Sequence, residues 1–178
     1  MNKVFQAKGF TLLELMIVIA IIGMMASWGL PVLTKAVGEM RLVASANGLV
    51  GDIRSAQGEA ITHGCAYICP GQPNGTAPAC GNDWAQGWQV VGNRNGADMV
   101  LRVHGPLAKG TTVAGNLGNV GNGIAFDGQG YPHAGHDCPA TGGNATATFA
   151  ICKSGICRNV VMAATGRLRI EEQSKETP

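Results

Sequence analysis

Aromatic residues are scarce in this sequence, at 5% of 178, and charged residues make up only 13%. A core must therefore be built from Val, Ile, Leu, Met and Ala. Charge of one sign is also missing. The formal net charge is +2, and Lys3 and Lys8 lie within the first nine positions. Without those two, Lys+Arg falls from 13 to 11 and equals the 11 Asp+Glu. Global charge thus excludes a nucleic-acid binder of the bulk-basic kind, and any such contact must come from a local patch. Catalytic signatures are lacking as well: there is no Gly-x-Ser-x-Gly elbow, no His-Glu-x-x-His and no phosphate-cradling loop between a strand and a helix. Neither enzymatic activity nor a cofactor is expected.

Glycine and cysteine are what the chain has in quantity, with 27 and 6 residues. The glycine content predicts a loop-rich, β-containing domain. Six cysteines in so small a chain predict an oxidising compartment, where disulfides supplement the core. A metal site is the competing use. His133, His136 and Cys138 are close in sequence and Cys65 and Cys69 are loosely spaced, but no standard zinc spacing results. No metal is expected, and His133 and His136 read as exposed loop residues after Pro132.

Residues 10–33 form one apolar run interrupted by a single ionisable residue, Glu14. The run reaches the roughly 20 residues a membrane helix needs. Lys3 and Lys8 precede it and set that end on the cytoplasmic side. A carboxylate inside such a run is costly and points to function. Past Pro31, which should bend or loosen the helix, Leu42, Ala46, Leu49, Ile53, Ala56 and Ala60 recur at spacings of four and three. They predict a core-facing stripe, with Arg41, Ser45, Asp52, Ser55 and Glu59 on the opposite face. Gly64 after His63 is the expected stop.

The stretch Lys8-Gly9-Phe10-Thr11-Leu12-Leu13-Glu14-Leu15 resembles the prepilin processing site of the type IV pilin and type II secretion pseudopilin superfamily. The resemblance implies that a prepilin peptidase cuts between Gly9 and Phe10 and methylates the new amine of Phe10. It also implies that Glu14 pairs with the N-terminal amine of a neighbouring subunit during assembly of a helical filament. A carboxylate and an ammonium desolvated together need one another. The implied fold is α+β, a long N-terminal helix with an apolar first half and an amphipathic second half packed on an antiparallel β-sheet. The expected organisation is a leader at 1–9, a transmembrane and assembly helix at 10–33, an amphipathic helix at 34–64 and a disulfide-containing β-rich region at 65–178. The expected location is the bacterial inner membrane, with the C-terminal region periplasmic before assembly.

From Cys65 onward turn residues dominate. Residues 65–83 read as a loop, and 115–130 read as glycine-rich turns. Strand-like runs are expected at 88–91, 99–104, 124–126, 146–152, 159–163 and 167–170. Cys152 and Cys157 bracket a four-residue hairpin loop and are expected to pair. Cys65, Cys69, Cys80 and Cys138 can then pair in three ways.

On the last strand, Arg167 and Arg169 should project from one face while Leu168 and Ile170 point inward. Two neighbouring guanidiniums suit a phosphodiester backbone, although Glu171 and Glu172 follow immediately. The segments Phe126-Asp127-Gly128-Gln129-Gly130, Phe149-Ala150-Ile151-Cys152, Asn159-Val160-Val161 and Gly166-Arg167-Leu168-Arg169 resemble the C-terminal domain of the GspH/FimT family. In FimT-like members a Gly-Arg-x-Arg motif is implicated in DNA binding during uptake, and it matches here at Gly166, Arg167 and Arg169. The resemblance implies a minor pilin that contacts DNA non-specifically; Lys153 and Arg158, on or beside the neighbouring hairpin, are further candidate contributors by their position. It equally allows a minor pseudopilin of type II secretion without a DNA role.

Overall fold

The computed structural model describes residues 10–74, 76–114, 120, 122–141 and 143–173, without the side chains of 28–32 and 173. The predicted leader, including Gly9, and parts of the 115–130 turn region lie outside the described residues.

Helix α1 spans Leu12–His63. It starts where Thr11 caps it: the Thr11 hydroxyl accepts a hydrogen bond from the Glu14 amide at 3.2 Å. It stops at Gly64, which takes φ +96 and donates to the Ala60 carbonyl at 2.7 Å, as a left-handed C-terminal residue does. The chain divides into two units, residues 1–38 and 39–178. In the first, large apolar side chains are exposed, Phe10 at 80% and Met25 at 72% among them. Among the described residues no helix is long and apolar enough to cross a membrane. The predicted span at 10–33 includes residues 28–32, whose side chains lie outside that set.

In the second unit the six residues of the helix stripe are all buried, at 3% exposure or less. They pack against two antiparallel sheets rather than the single sheet expected. The five-stranded sheet has the order β3-β2-β1-β5-β6, built from β1 (Cys65–Pro70), β2 (Trp88–Arg94), β3 (Ala97–His104), β5 (Ile124–Asp127) and β6 (Pro132–Ala134). The four-stranded sheet has the order β4-β7-β8-β9, from β4 (Thr111–Ala114), β7 (Ala147–Lys153), β8 (Ile156–Met162) and β9 (Leu168–Gln173). Ile68, Val90, Phe126, Phe149, Ile151 and Val160 join the helix stripe in one core.

The reading of 65–83 as a loop is corrected at its start, because residues 65–70 are a central strand. All six residues of β1 are buried. One face meets the main core, and on the other Tyr67, Cys69, Val91 and Ala125 form a second cluster, against which Cys80, Cys138 and Ala140 pack. A strand buried on both faces has no polar alternation to betray it. The cover is held by disulfides Cys69–Cys80 and Cys65–Cys138, and the buried Gln89 donates to the Ala79 carbonyl at 2.8 Å. The Cys-rich segment therefore braces the outer face of this sheet.

Two polar helix residues also differ from expectation. Asp52 and Glu59 do not face solvent; their side chains are only 14% and 15% exposed. Asp52 accepts from the Trp88 indole N–H at 2.9 Å and pairs with Arg102 at 3.2 Å. Glu59 pairs with Arg94 at 2.8 Å and His63 at 3.1 Å. These contacts tie the helix flank to β2 and β3.

Candidate functional site

The Gly-Arg-x-Arg segment is a hairpin. β8 and β9 pair with Met162 opposite Leu168. The Ala163 amide then donates to the Arg167 carbonyl at 3.0 Å and the Gly166 amide to the Ala163 carbonyl at 2.8 Å. This is a three-residue loop closed by a residue in the left-handed region, a position glycine fills at no steric cost. Gly166 takes φ +76. The Phe126–Gly130 segment repeats the same device. Gly130 donates to the Asp127 carbonyl at 2.9 Å, Asp127 donates to the Tyr131 carbonyl at 3.2 Å, and Gly130 takes φ +83.

Both hairpins converge on one helix residue. The Gln57 side-chain amide donates to the Gly130 carbonyl at 2.8 Å, and a Cβ added at Gly166 would lie 2.5 Å from the Gln57 Nε2. Gly166 is buried there, and its lack of a Cβ lets the arginine hairpin lie close to α1.

Register fixes which arginines share a face. Arg169 stands opposite Val161 and Arg158 opposite Glu172. Val160 and Met162 are buried, so Arg158, of the same parity, lies on the core-facing side, and Arg169 on the outer side. Arg167, opposite Ala163, shares the outer side with Arg169, and both are exposed. Lys153, paired with Ile156 at the far end of β7, has the parity of the buried Ile151. The five residues proposed from sequence therefore do not form one patch. Arg167 and Arg169 are brought together, whereas Arg158 and Lys153 belong to the other side.

The glutamates are engaged. Arg169 Nε lies 2.6 Å from the Glu171 carboxylate, both side chains being well exposed. Arg158 lies 2.6 Å from the Glu172 carboxylate and is itself only 18% exposed. An exposed pair such as Arg169–Glu171 is worth about 0–1 kcal/mol, so a phosphate can displace it. Ile170, expected inward, is 40% exposed, because β9 is an edge strand at the margin of the core.

At the other end of the chain, Thr11 and Glu14 carry the T-x-x-E spacing of a capping box. Sequence reasoning passed over that role for Glu14, although the spacing was legible. Phe10 immediately precedes the cap and is exposed.

His133 is not an exposed loop residue as expected. It lies in β6 with its side chain 16% exposed, its Nε2 3.0 Å from an Asp127 carboxylate oxygen. The other Asp127 oxygen accepts from the amides of Gln129 and Tyr131. Burial pushes the Asp127 carboxyl up, but His133 and the two amides outweigh it and hold it below the usual value. His136 is half-buried, its ring 5.9 Å from that of Tyr67. Burial, reinforced by the hydrogen bond to Asp98, pushes the Tyr67 phenol well above its ordinary value. Among the described residues no three His, Cys, Asp or Glu are placed to hold a metal ion.

The third disulfide joins Cys152 to Cys157.

Residues 45–166 match the family described as Type II transport protein GspH. Residues 5–30 match the prokaryotic N-terminal methylation motif. Among curated proteins no relative is matched. The crystal structure of the type IV minor pilin FimU from Pseudomonas aeruginosa (strain PAO1) superposes with a TM-score of 0.54 at 20% identity, covering 79% of this chain and 93% of that one. That likeness is one of fold.

Proposed function

Because this chain belongs to the GspH family of type IV pilin-like proteins, we propose that it is a minor pilin of a type IV pilus whose arginine hairpin binds DNA. The family and the fold are those of structural pilins rather than enzymes. The observation that carries the DNA reading is the joint exposure of Arg167 and Arg169 on the outer side of the β8–β9 hairpin. Two guanidiniums on one face can each donate paired hydrogen bonds to phosphate oxygens. The binding is non-specific and falls steeply with salt.

In this reading the prepilin peptidase cuts between Gly9 and Phe10 and methylates the Phe10 amine. The helix then rests in the inner membrane with the C-terminal unit in the periplasm. Glu14 meets the N-terminal amine of a neighbouring pilin on entry into the filament.

A gel-retardation titration of the full-length protein in detergent tests the DNA site. Arg167→Ala/Arg169→Ala should abolish a salt-sensitive shift that the unchanged protein gives, and equal retardation of both refutes the assignment. A second reading is favoured by the ion pairs of Arg169 with Glu171 and Arg158 with Glu172. These compensate two of the hairpin's three arginines, as suits a type II secretion pseudopilin that meets other pseudopilins. No retardation by the unchanged protein supports that reading.

A further inference from the structure

The three disulfides differ in what they hold. Cys65–Cys138 and Cys69–Cys80 tie segments over the five-stranded sheet, and Cys65 and Cys69 are buried at 7% and 0% exposure. Cys152 and Cys157 instead stand directly opposite each other in the β7–β8 ladder. Cys152 has the parity of Ala150 and Thr148, opposite to that of the buried Phe149 and Ile151. The bridge therefore lies on the outer side of the four-stranded sheet, where both cysteines are only half-buried.

The hairpin does not need this bond. Ser154 and Gly155, at φ +51 and +78, form the two-residue turn whose twist matches that of paired strands. The register from Ala147↔Met162 to Lys153↔Ile156 is held by the backbone. The bond also closes the shortest loop of the three, with a separation of 5 residues against 11 and 73. It consequently restricts the unfolded chain least.

We propose that Cys152–Cys157 is a thiol–disulfide exchange site, opened by a dithiol reductant while the fold and the other two bridges persist. A thiolate of the reductant attacks one Sγ. The Sγ–Sγ bond breaks, and its electron pair leaves on the other cysteine as a thiolate, which takes up a proton. The second thiolate of the reductant resolves the mixed disulfide. Two electrons and two protons pass to the cysteine pair, and the dithiol becomes a disulfide. The product presents two thiols on the outer side of the sheet, and the intermediate tethers its partner there.

The test is a titration of the full-length, detergent-solubilised protein with dithiothreitol, trapped with N-ethylmaleimide and mapped by peptide mass spectrometry. Thermal unfolding is followed in parallel. Label should enter Cys152 and Cys157 first, with the melting temperature held to within about 4 °C. Label at Cys65, Cys69, Cys80 and Cys138 should follow only at higher reductant, together with a clear fall in melting temperature. Simultaneous or earlier labelling of those four overturns the proposal, as does unfolding that accompanies the first two labels. The double variant Cys152→Ser/Cys157→Ser should accumulate with the other two bridges formed, and its failure to do so overturns it as well.

Discussion

Gly166 lies against Gln57 so closely that a Cβ there would come within 2.5 Å of the Gln57 Nε2 and 3.0 Å of the Gly130 carbonyl oxygen. The contact joins two sequence segments that are 36 residues apart through one helix side chain. It also separates the glycine of the Gly-Arg-x-Arg motif, which lies against the helix, from the arginines, which are exposed.

Gly166→Ala should therefore destabilise the protein by about 1–3 kcal/mol, through the left-handed φ and the clash together. Gln57→Ala should cost about 1 kcal/mol from the lost hydrogen bond to Gly130. Because the Gln57 variant makes room beside Gly166, the double variant should lose less than the two single losses combined. Chemical denaturation of the four proteins measures this. Strict additivity would show that the contact does not matter.

The two glutamates after the motif give a sharper test of the proposed DNA site than arginine removal does. Glu171→Gln and Glu172→Gln change net charge equally. Glu171 holds Arg169 on the outer side, whereas Glu172 holds Arg158 on the core-facing side. Glu171→Gln should tighten duplex binding several-fold and steepen its dependence on log salt by up to about 0.9, one added phosphate contact. Glu172→Gln should do distinctly less. Equal effects would mean that only bulk charge counts.

Asp127 predicts an acid limit. Its carboxyl titrates below the ordinary aspartate value of about 3.9, because His133 and the amides of Tyr131 and Gln129 outweigh the effect of burial. A folded value below the unfolded one means that the unfolded chain binds more protons in that range. The stabilisation is thus present above about pH 4 and is lost as pH falls through the folded value. Asp127→Asn should be less stable than the unchanged protein at pH 7, by about 1 kcal/mol, and the gap should close below pH 4. Thermal unfolding between pH 7 and 3 checks this, and a gap independent of pH would remove the ionic role.

What could be read in the sequence, and what could not, divides by range. The stripe from Leu42 to Ala60 was legible because a helix repeats its face every three to four residues. Asp52 and Glu59 were misplaced because a polar residue on a helix flank looks the same whether it meets water or an arginine some 35 to 50 residues onward. β1 was hidden by burial on both faces. β4 (TTVA) and β6 (PHA) are short and lack the large apolar residues that mark β5, which is no longer than β4. The partners of Cys65 and Cys69 depend on which loops cross the outer sheet face, a tertiary fact that no spacing encodes. At the candidate site, the shared side of Arg167 and Arg169 followed from period two alone, but the exclusion of Arg158 and Lys153 needed the register of β8 on its neighbours.

Glu14 has two candidate roles, and they can be separated. As the third residue after the Thr11 cap, its amide donates to the Thr11 hydroxyl, and its charge lies at the end of the helix that favours anions. As the carboxylate in an apolar run, it can neutralise the Phe10 amine of a neighbouring subunit. The capping role is local, so Thr11→Val should fray the first turn and leave filament entry largely intact. Glu14→Gln keeps the amide donor and most of the side-chain shape while removing the charge. It should still be inserted and cleaved, yet enter filaments at least about tenfold less, which corresponds to about 1.4 kcal/mol and is modest for a desolvated ion pair. Quantifying the protein in sheared filaments against the membrane pool reads the outcome. Normal entry of Glu14→Gln, with poor entry of Thr11→Val, would assign Glu14 to helix capping instead.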